Sequence, residues 1–180
     1  NTINNSILNE HQNQMSQIPY LLGRALELNG NTYTEMAARY ARALRFLFIG
    51  RGGLEPLALE GALKLKEISY IHAEGLPAAE LKHGPIALVD SETPIVGLAL
   101  NHPLLNKLMG NLSEVKARGG LVLAIATEGN EYIEEEADDV LWVPHCPPML
   151  TPLLATIPLQ LFAYHMAVQS NCDVDQPRNL

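Results

Sequence analysis

Four short apolar runs divide the chain after residue 43. They lie at residues 44–49, 94–100, 121–126 and 140–143, and none of them alternates polar with apolar positions. Runs of this kind are typical of strands that are covered on both faces, as in a parallel sheet. We therefore predict a buried sheet of parallel strands joined by right-handed crossovers.

Segments with helical periodicity precede and separate these runs. The predicted helices span residues 7–28, 33–43, 55–70, 102–118 and 152–169. Pro19 should interrupt or bend the first of them. The segment 69–75 is either a further short strand or a continuation of the helix before it, because periodicity does not separate the two.

This alternation of strands and helices predicts an α/β fold. The expected architecture is a three-layer sandwich with a central parallel sheet, preceded by N-terminal helices. We place a helical region at residues 1–43 and a single globular unit at residues 44–180. Ligands of open parallel sheets bind outside the carboxyl ends of the strands, which directs attention to the loop at residues 50–53.

An uncharged stretch at residues 140–172 is long enough to span a bilayer, since it contains no Asp, Glu, Lys or Arg over 33 positions. Five prolines interrupt it: Pro144, Pro147, Pro148, Pro152 and Pro158. A lipid-exposed helix with these breaks would leave backbone groups unsatisfied. We expect a strand, a proline-rich loop and a helix covered by protein on nearly every side, and no membrane span.

The amino-acid composition disfavours some classes of binding partner and indicates a cellular compartment. Twelve Lys and Arg against 20 Asp and Glu give a net charge of −8, which disfavours nucleic acid and anionic membranes as partners. Cys146 and Cys172 lack the spacing of a zinc site or a disulfide framework, and residues 1–14 lack the features of a signal peptide. We expect a cytoplasmic protein.

Glu60, Lys64 and Glu67 are the candidate chemical groups on the predicted helix 55–70. Their i, i+4, i+7 spacing places them within about 60° of one another on the helix surface. The stripe is either a solvated surface with an ordinary ion pair or a partly buried carboxylate beside an ammonium, suited to moving a proton to and from carbon. Spacing alone favours the solvated surface.

Two further motifs carry weaker signals. The Gly50-Arg51-Gly52-Gly53 turn precedes a helix but matches neither the P-loop nor the dinucleotide fingerprint, so we expect these glycines to allow close strand–helix packing rather than phosphate binding. His83 lies in a short polar cluster and is a candidate proton donor or acceptor if it borders a cleft. No His, Cys and carboxylate set has metal-ligand spacing.

Three segments carry a family resemblance: residues 58–74 (ALEGALKLKEISYIHAE), residues 80–85 (ELKHGP) and residues 173–180 (DVDQPRNL). They closely resemble the second sugar-isomerase (SIS) domain of the glucosamine-6-phosphate synthases, the glutamine:fructose-6-phosphate amidotransferases. The order of elements agrees from about residue 44 to residue 180. The resemblance implies the SIS fold, a flavodoxin-like variant of the predicted sandwich.

The resemblance also implies a reaction. Enzymes of this family open fructose 6-phosphate, accept ammonia that a separate glutaminase domain releases from glutamine, and shift a proton between C1 and C2. By resemblance, Glu67 is the proton-transferring carboxylate, Lys64 the lysine beside it and Glu60 a supporting acid. His83 matches a histidine that is associated with ring opening and contributed across the dimer interface. No metal or redox cofactor is implied.

Departures from the family pattern limit what this chain is expected to do alone. Nothing resembles the serine- and threonine-rich loops of the first SIS domain that hold the sugar phosphate, and the family's Schiff-base lysine follows the segment that ends here at Leu180. We expect the carboxyl-terminal half of an isomerase module, inactive alone, that forms a homodimer or pairs with another SIS domain. The alternatives are another SIS sugar-phosphate deaminase or deglycase, and a non-catalytic sugar-phosphate-binding half-domain.

Overall fold

Five parallel strands form one sheet in the order β2-β1-β3-β4-β5 in the computed structural model, which describes residues 4–179. The strands are β1 (Arg45–Gly50), β2 (His72–Pro77), β3 (Ile95–Ala99), β4 (Val122–Thr127) and β5 (Asp139–Val143). This is the flavodoxin-like order, in which the chain turns back at the boundary between β1 and β3. The predicted parallel sheet is confirmed.

Seven α-helices accompany the sheet within the described residues. They are α1 (Asn5–Ser16), α2 (Ile18–Glu27), α3 (Thr32–Tyr40), α4 (Glu55–Ser69), α5 (Leu105–Lys116), α6 (Ile133–Glu136) and α7 (Thr151–Gln169). The first predicted helix is two helices that separate at Gln17, and Pro19 lies in the first turn of α2, where proline is tolerated. The four-residue α6 is too short for periodicity to predict.

The sheet separates two apolar cores. Phe46 and Phe48 of β1 pack into the core beneath α3, α4 and α7, while Leu47 and Ile49 pack into the core beneath α5. Successive side chains of a strand point to opposite faces, so a strand covered on both faces is apolar throughout. The three-layer sandwich is therefore confirmed.

The ambiguous segment 69–75 contains the start of a strand. Helix α4 ends at Ser69, and Tyr70 caps it in the left-handed conformation with φ of 62°. The chain then enters β2 at His72, which pairs with Arg45 of β1. The strand alternative is thus the right one, and a non-glycine residue in a strained conformation makes the turn.

The uncharged stretch contains all of β5 except its first residue, Asp139, followed by a proline-rich loop and α7, as predicted. No helix within residues 4–179 is long and apolar enough to cross a membrane. The expected coverage of α7 was wrong, because Leu153, Tyr164 and Val168 remain 44–49% exposed. Helix α7 packs against α3, α4 and the sheet with one side only, and these three residues lie on the other side.

Candidate functional site

Helix α4 positions the candidate acid–base stripe. Pro56 occupies its first turn, and its packed side is apolar or small: Leu57, Ala58, Gly61, Ala62, Leu65 and Ser69 are buried. Glu60, Lys64 and Glu67 lie on the remaining surface, with side chains 40%, 30% and 30% exposed. The stripe is thus anchored to the core from behind and half-open to a ligand in front.

Lys64 joins the two carboxylates unequally. Its Nζ donates a hydrogen bond to Glu67 Oε2 at 2.7 Å and lies 3.8 Å from Glu60 Oε1. The hydrogen bond to Glu67, and then the negative charges of Glu67 and Glu60, raise the pKa of Lys64 against the opposing effect of partial burial. The lysine is therefore a fixed ammonium at neutral pH.

Glu67 retains one free carboxylate oxygen. Lys64 occupies Oε2, and Oε1 has no hydrogen-bond partner in the part of the chain that the structure describes. A carboxylate with one oxygen held and the other open can accept a proton from a bound molecule without losing its orientation. The geometry of the stripe therefore suits the proton-transfer interpretation better than spacing alone indicated.

His83 lies on the other side of the sheet. It ends a 3-10 helical turn (Ala78–His83), in which Ala78 and Leu81 belong to the core beneath α5. Leu65 of α4 belongs to the opposite core. The structure therefore brings Glu60, Lys64 and Glu67 together within one chain and does not bring His83 to them.

The glycine loop after β1 serves close packing. A Cβ at Gly50 would lie 2.2 Å from the carbonyl oxygen of Leu54, and Gly52 has a positive φ of 58°. Arg51 points away to α5, where its Nη1 donates to Asn111 Oδ1 at 2.8 Å. The expectation that these glycines let strand and helix approach is confirmed at Gly50.

A cleft of about 530 Å³ opens beside this loop at the carboxyl ends of β1 and β3. Gly53 borders it on one side, Asn101 and His102 on the second, and Pro148 and Thr151 at the start of α7 on the third. This is the position where the strand order reverses and where open α/β sheets bind ligands.

Sequence reasoning missed a contact between the C-terminal segment and α4. The backbone N–H of Arg178 donates to Tyr70 Oη at 2.9 Å, and the guanidinium lies 4.0 Å from the centroid of the Tyr70 ring. Both residues fall in the segments that carry the resemblance, but nothing in the sequence pairs them. The contact holds residues 173–179 close to the end of the helix that carries Glu67.

The fold and the stripe together define a class: a flavodoxin-like α/β domain with a Glu–Lys–Glu stripe, a candidate acid–base group, on the helix that follows its first strand. A family model described as SIS domain matches residues 39–170, which is most of the chain. The chain belongs to the SIS domain family.

Two relatives of the chain within this family carry the same enzyme name. The isomerizing glutamine–fructose-6-phosphate aminotransferase of Thermus thermophilus is 53% identical over 167 residues, which cover 93% of this chain and 28% of that protein. The enzyme of the same name from Pseudomonas aeruginosa is 52% identical, covering 93% of this chain and 27% of that protein. The chain thus spans less than a third of either relative.

The structural comparison points the same way. The C-terminal domain of glucosamine-fructose-6-phosphate aminotransferase from Francisella tularensis superposes with a TM-score of 0.88 at 39% identity. The match covers 97% of this chain and 49% of that one. The chain therefore corresponds to half of such a domain.

Proposed function

We propose that this chain is the carboxyl-terminal half of the isomerase module of a glutamine:fructose-6-phosphate aminotransferase. It would supply the proton-transfer groups that convert fructose 6-phosphate, with ammonia from glutamine, to glucosamine 6-phosphate. The observation that carries the proposal is the Glu60–Lys64–Glu67 stripe on α4. The chain that holds it is 53% identical in sequence, over 167 residues, to an enzyme of that name.

Glu67 is the base in this proposal. Ammonia condenses with the C2 ketone of the ring-opened sugar with loss of water, and the open oxygen Oε1 takes a proton from C1. The electron pair of that C–H bond forms a C1–C2 double bond while the C=N pair moves to nitrogen. Oε1 then returns the proton to C2, and C1 becomes the aldehyde as its hydroxyl loses a proton. Lys64 holds Oε2 at 2.7 Å, so the base keeps one orientation for both transfers. Glu60 supports Lys64 from the preceding turn.

His83 has its proposed role in ring opening at another subunit's stripe. Its exposed position on the layer opposite α4 supports a contribution across an interface, because the sheet lies between it and Glu67 of the same chain. The proposal therefore includes a homodimer, or an equivalent pairing with a second SIS domain.

The proposal also covers organisation and partners. Residues 1–43 would form a helical region that packs on a SIS domain of residues 44–180, and burial of Met36 and Tyr40 in the core beneath α4 and α7 supports this packing.

The sugar phosphate would be shared with a first SIS domain, and a glutaminase domain would supply ammonia. Free thiols at Cys146 and Cys172 are in keeping with the cytoplasm.

A segment exchange tests the proposal. The matching segment of the Thermus thermophilus aminotransferase is replaced by this chain, and formation of glucosamine 6-phosphate is measured. We expect the chimera to be active and the 180-residue chain alone to convert no fructose 6-phosphate. A folded chimera that hydrolyses glutamine but forms no amino sugar would overturn the proposal, and so would turnover by the chain alone.

Calorimetric titration separates the alternatives. A stand-alone sugar-phosphate sensor should bind fructose 6-phosphate or glucosamine 6-phosphate tightly as the 180-residue chain, whereas half of an isomerase module should bind either one weakly. If the chain instead came from a related deaminase or deglycase, the chimera would release ammonia from glucosamine 6-phosphate and would form no net glucosamine 6-phosphate.

A further inference from the structure

A basic pocket of about 310 Å³ lies on the α5 side of the sheet, in the layer opposite the Glu67 stripe. Arg51 reaches it from the end of β1, Lys82 from the 3-10 turn before His83, and Lys107 from α5. Glu114 of α5 is the one acidic residue in its lining. Three separate elements thus direct cationic residues to one small volume.

The charge of this pocket opposes that of the chain. Three cations against one carboxylate give a local charge of 3 − 1 = +2, in a chain whose net charge is −8. Clustered like charges repel one another unless an anion lies among them, and the cost rises where surrounding protein excludes water. The cluster is therefore a feature that a bound anion would stabilise.

Two of the three cations have no carboxylate partner in the part of the chain that the structure describes. Glu114 Oε1 lies 2.6 Å from Lys82 Nζ, which neutralises that pair. Arg51 and Lys107 form no ion pair among residues 4–179. Their charges remain available to a ligand.

The arginine is also held in place. Arg51 Nη1 donates to Asn111 Oδ1 at 2.8 Å, and Asn111 is only 6% exposed. A guanidinium carries five N–H donors, and this is its one hydrogen bond within the described part of the chain. A fixed fork with unfilled donors is the arrangement that recognises phosphate oxygens with two parallel hydrogen bonds.

We propose that this pocket binds a phosphate group, either as inorganic phosphate or as a phosphate monoester. The group carries close to two negative charges above about pH 7, which matches the local charge of +2. Arg51 would hold two of its oxygens, and Lys107 and the Lys82–Glu114 pair would border the others. A carboxylate carries half that charge and fewer oxygens, so it would bind more weakly.

Binding would join three elements. Ala79 and Lys82 belong to the turn that carries His83, so a phosphate in the pocket would fasten that turn to α5 and to the β1 loop. The consequence for ring opening by His83 rests on the proposed function. The binding itself and the fastening of the turn do not, and both are measured on the 180-residue chain without any assay of isomerisation.

The test is an NMR titration of the ¹⁵N-labelled chain with inorganic phosphate, with glycerol 3-phosphate and with acetate, at constant ionic strength. We expect saturable shifts at the amides of Arg51, Lys82, Lys107 and Asn111 with one or both phosphate compounds, and weaker binding of acetate. A preference for glycerol 3-phosphate identifies the ligand as an ester, and a preference for inorganic phosphate identifies the free ion. Amide exchange in the Ala78–His83 turn should slow when phosphate is bound.

Two variants with the same change in charge complete the test. Lys107→Gln removes a cation of the pocket, and Lys66→Gln removes an exposed cation of α4 that forms no ion pair within residues 4–179. We expect Lys107→Gln to weaken phosphate binding about fivefold and Lys66→Gln to leave it within about twofold, since one charge-assisted contact at a half-open site contributes about that much. Equal weakening by both variants, acetate binding as tight as phosphate, or no saturable shift would overturn the proposal.

Discussion

Lys64 Nζ lies 2.7 Å from Glu67 Oε2 but 3.8 Å from Glu60 Oε1, so the ammonium is hydrogen-bonded to the carboxylate that follows it and only near the one that precedes it. Both spacings are ordinary on a helix, since residues three and four apart are neighbours. The asymmetry distinguishes two acidic residues on one stripe. Glu67, whose carboxylate is held by the ammonium, is the proposed base, and Glu60 is a more distant charge.

The first prediction follows from this asymmetry. In the Thermus thermophilus chimera, Glu67→Gln should lower amino-sugar formation and proton exchange between C1 and C2 by at least about 100-fold, because a positioned general base contributes about 10²–10⁴-fold. Glutamine hydrolysis should continue, since it does not use this carboxylate. Deuterium incorporation into the sugar measures the exchange.

Glu60→Gln is the matched comparison, with the same chemical change on the same helix. We expect less than about a tenfold loss of exchange, because Glu60 lies beyond hydrogen-bond distance from Lys64. Exchange that survives Glu67→Gln, or that falls equally in both variants, would show that Glu67 is not the base.

The second prediction concerns the contact between Tyr70 and Arg178. Tyr70→Ala removes both the ring beneath the guanidinium and the hydroxyl that accepts from the Arg178 N–H. Residues 173–179 should then detach more often, and trypsin should cleave after Arg178 several-fold faster. Tyr70→Phe keeps the ring and should have an intermediate effect. Tyr132→Ala, a change at a tyrosine that is 71% exposed, should leave the cleavage rate unchanged.

Much of the fold was predictable because the buried strands carry a local signal. Each of the four runs that were predicted as strands matches a strand of the sheet to within one residue at either end, since coverage on both faces makes most positions apolar. Strand β2 escaped a firm prediction because its burial alternates irregularly and it continues from a helix within three residues. The start of β2 depends on the left-handed conformation of Tyr70, which no sequence pattern predicts.

The candidate site was predictable only in part. Spacing placed Glu60, Lys64 and Glu67 on one stripe, and the helix has them there, because helical geometry is local. It did not reveal which carboxylate Lys64 contacts. The contacts of Arg51 with Asn111 and of Tyr70 with Arg178 join residues 60 and 108 positions apart, so they depend on how the chain packs rather than on any periodicity.

The third prediction tests the packing of α4 on β2. A Cβ at Gly75 would lie 2.6 Å from the Cα of Leu59, and the backbone there cannot yield as a side chain can. Gly75→Ala should therefore lower the free energy of unfolding by about 3 kcal/mol. Gly23→Ala on α2 meets no atom within 4 Å and should raise it by about 0.5–1 kcal/mol, because alanine favours the helix. Urea unfolding measures both, and equal effects would contradict the close approach.

The fourth prediction is a pH dependence at His165. Partial burial lowers the pKa of this imidazole, which stacks on Tyr33 at 5.7 Å and lies 3.2 Å from the hydroxyl of Thr34. The unfolded chain, with an ordinary histidine pKa of about 6.5, then binds a proton more readily than the folded one. The free energy of unfolding should therefore fall as the pH drops through about 6.5. It should level off below the pKa that His165 has in the folded chain.

His165→Gln removes this titration, so the variant should lose less unfolding free energy than the parent between about pH 7.5 and about pH 5. His145→Gln, at an exposed histidine, should keep the dependence of the parent chain. A variant of His165 whose dependence matches the parent would show that another group causes the acid sensitivity.

The last prediction concerns the apolar surface of α4 and α7, two helices that pack against each other. Four of their apolar residues are 41–50% exposed: Leu59, Leu63, Leu153 and Tyr164. Covering such a surface from water lowers the free energy. If a second SIS domain covers this surface in the whole protein, a second copy should take that place when the chain is alone, giving a dimer in sedimentation equilibrium.

The double variant Leu63→Glu, Leu153→Glu should weaken dimerisation at least about tenfold, because each charge would be buried unpaired. Leu44→Glu, at an 84% exposed leucine elsewhere, should not. A parent chain that stays monomeric at all concentrations would refute this pairing.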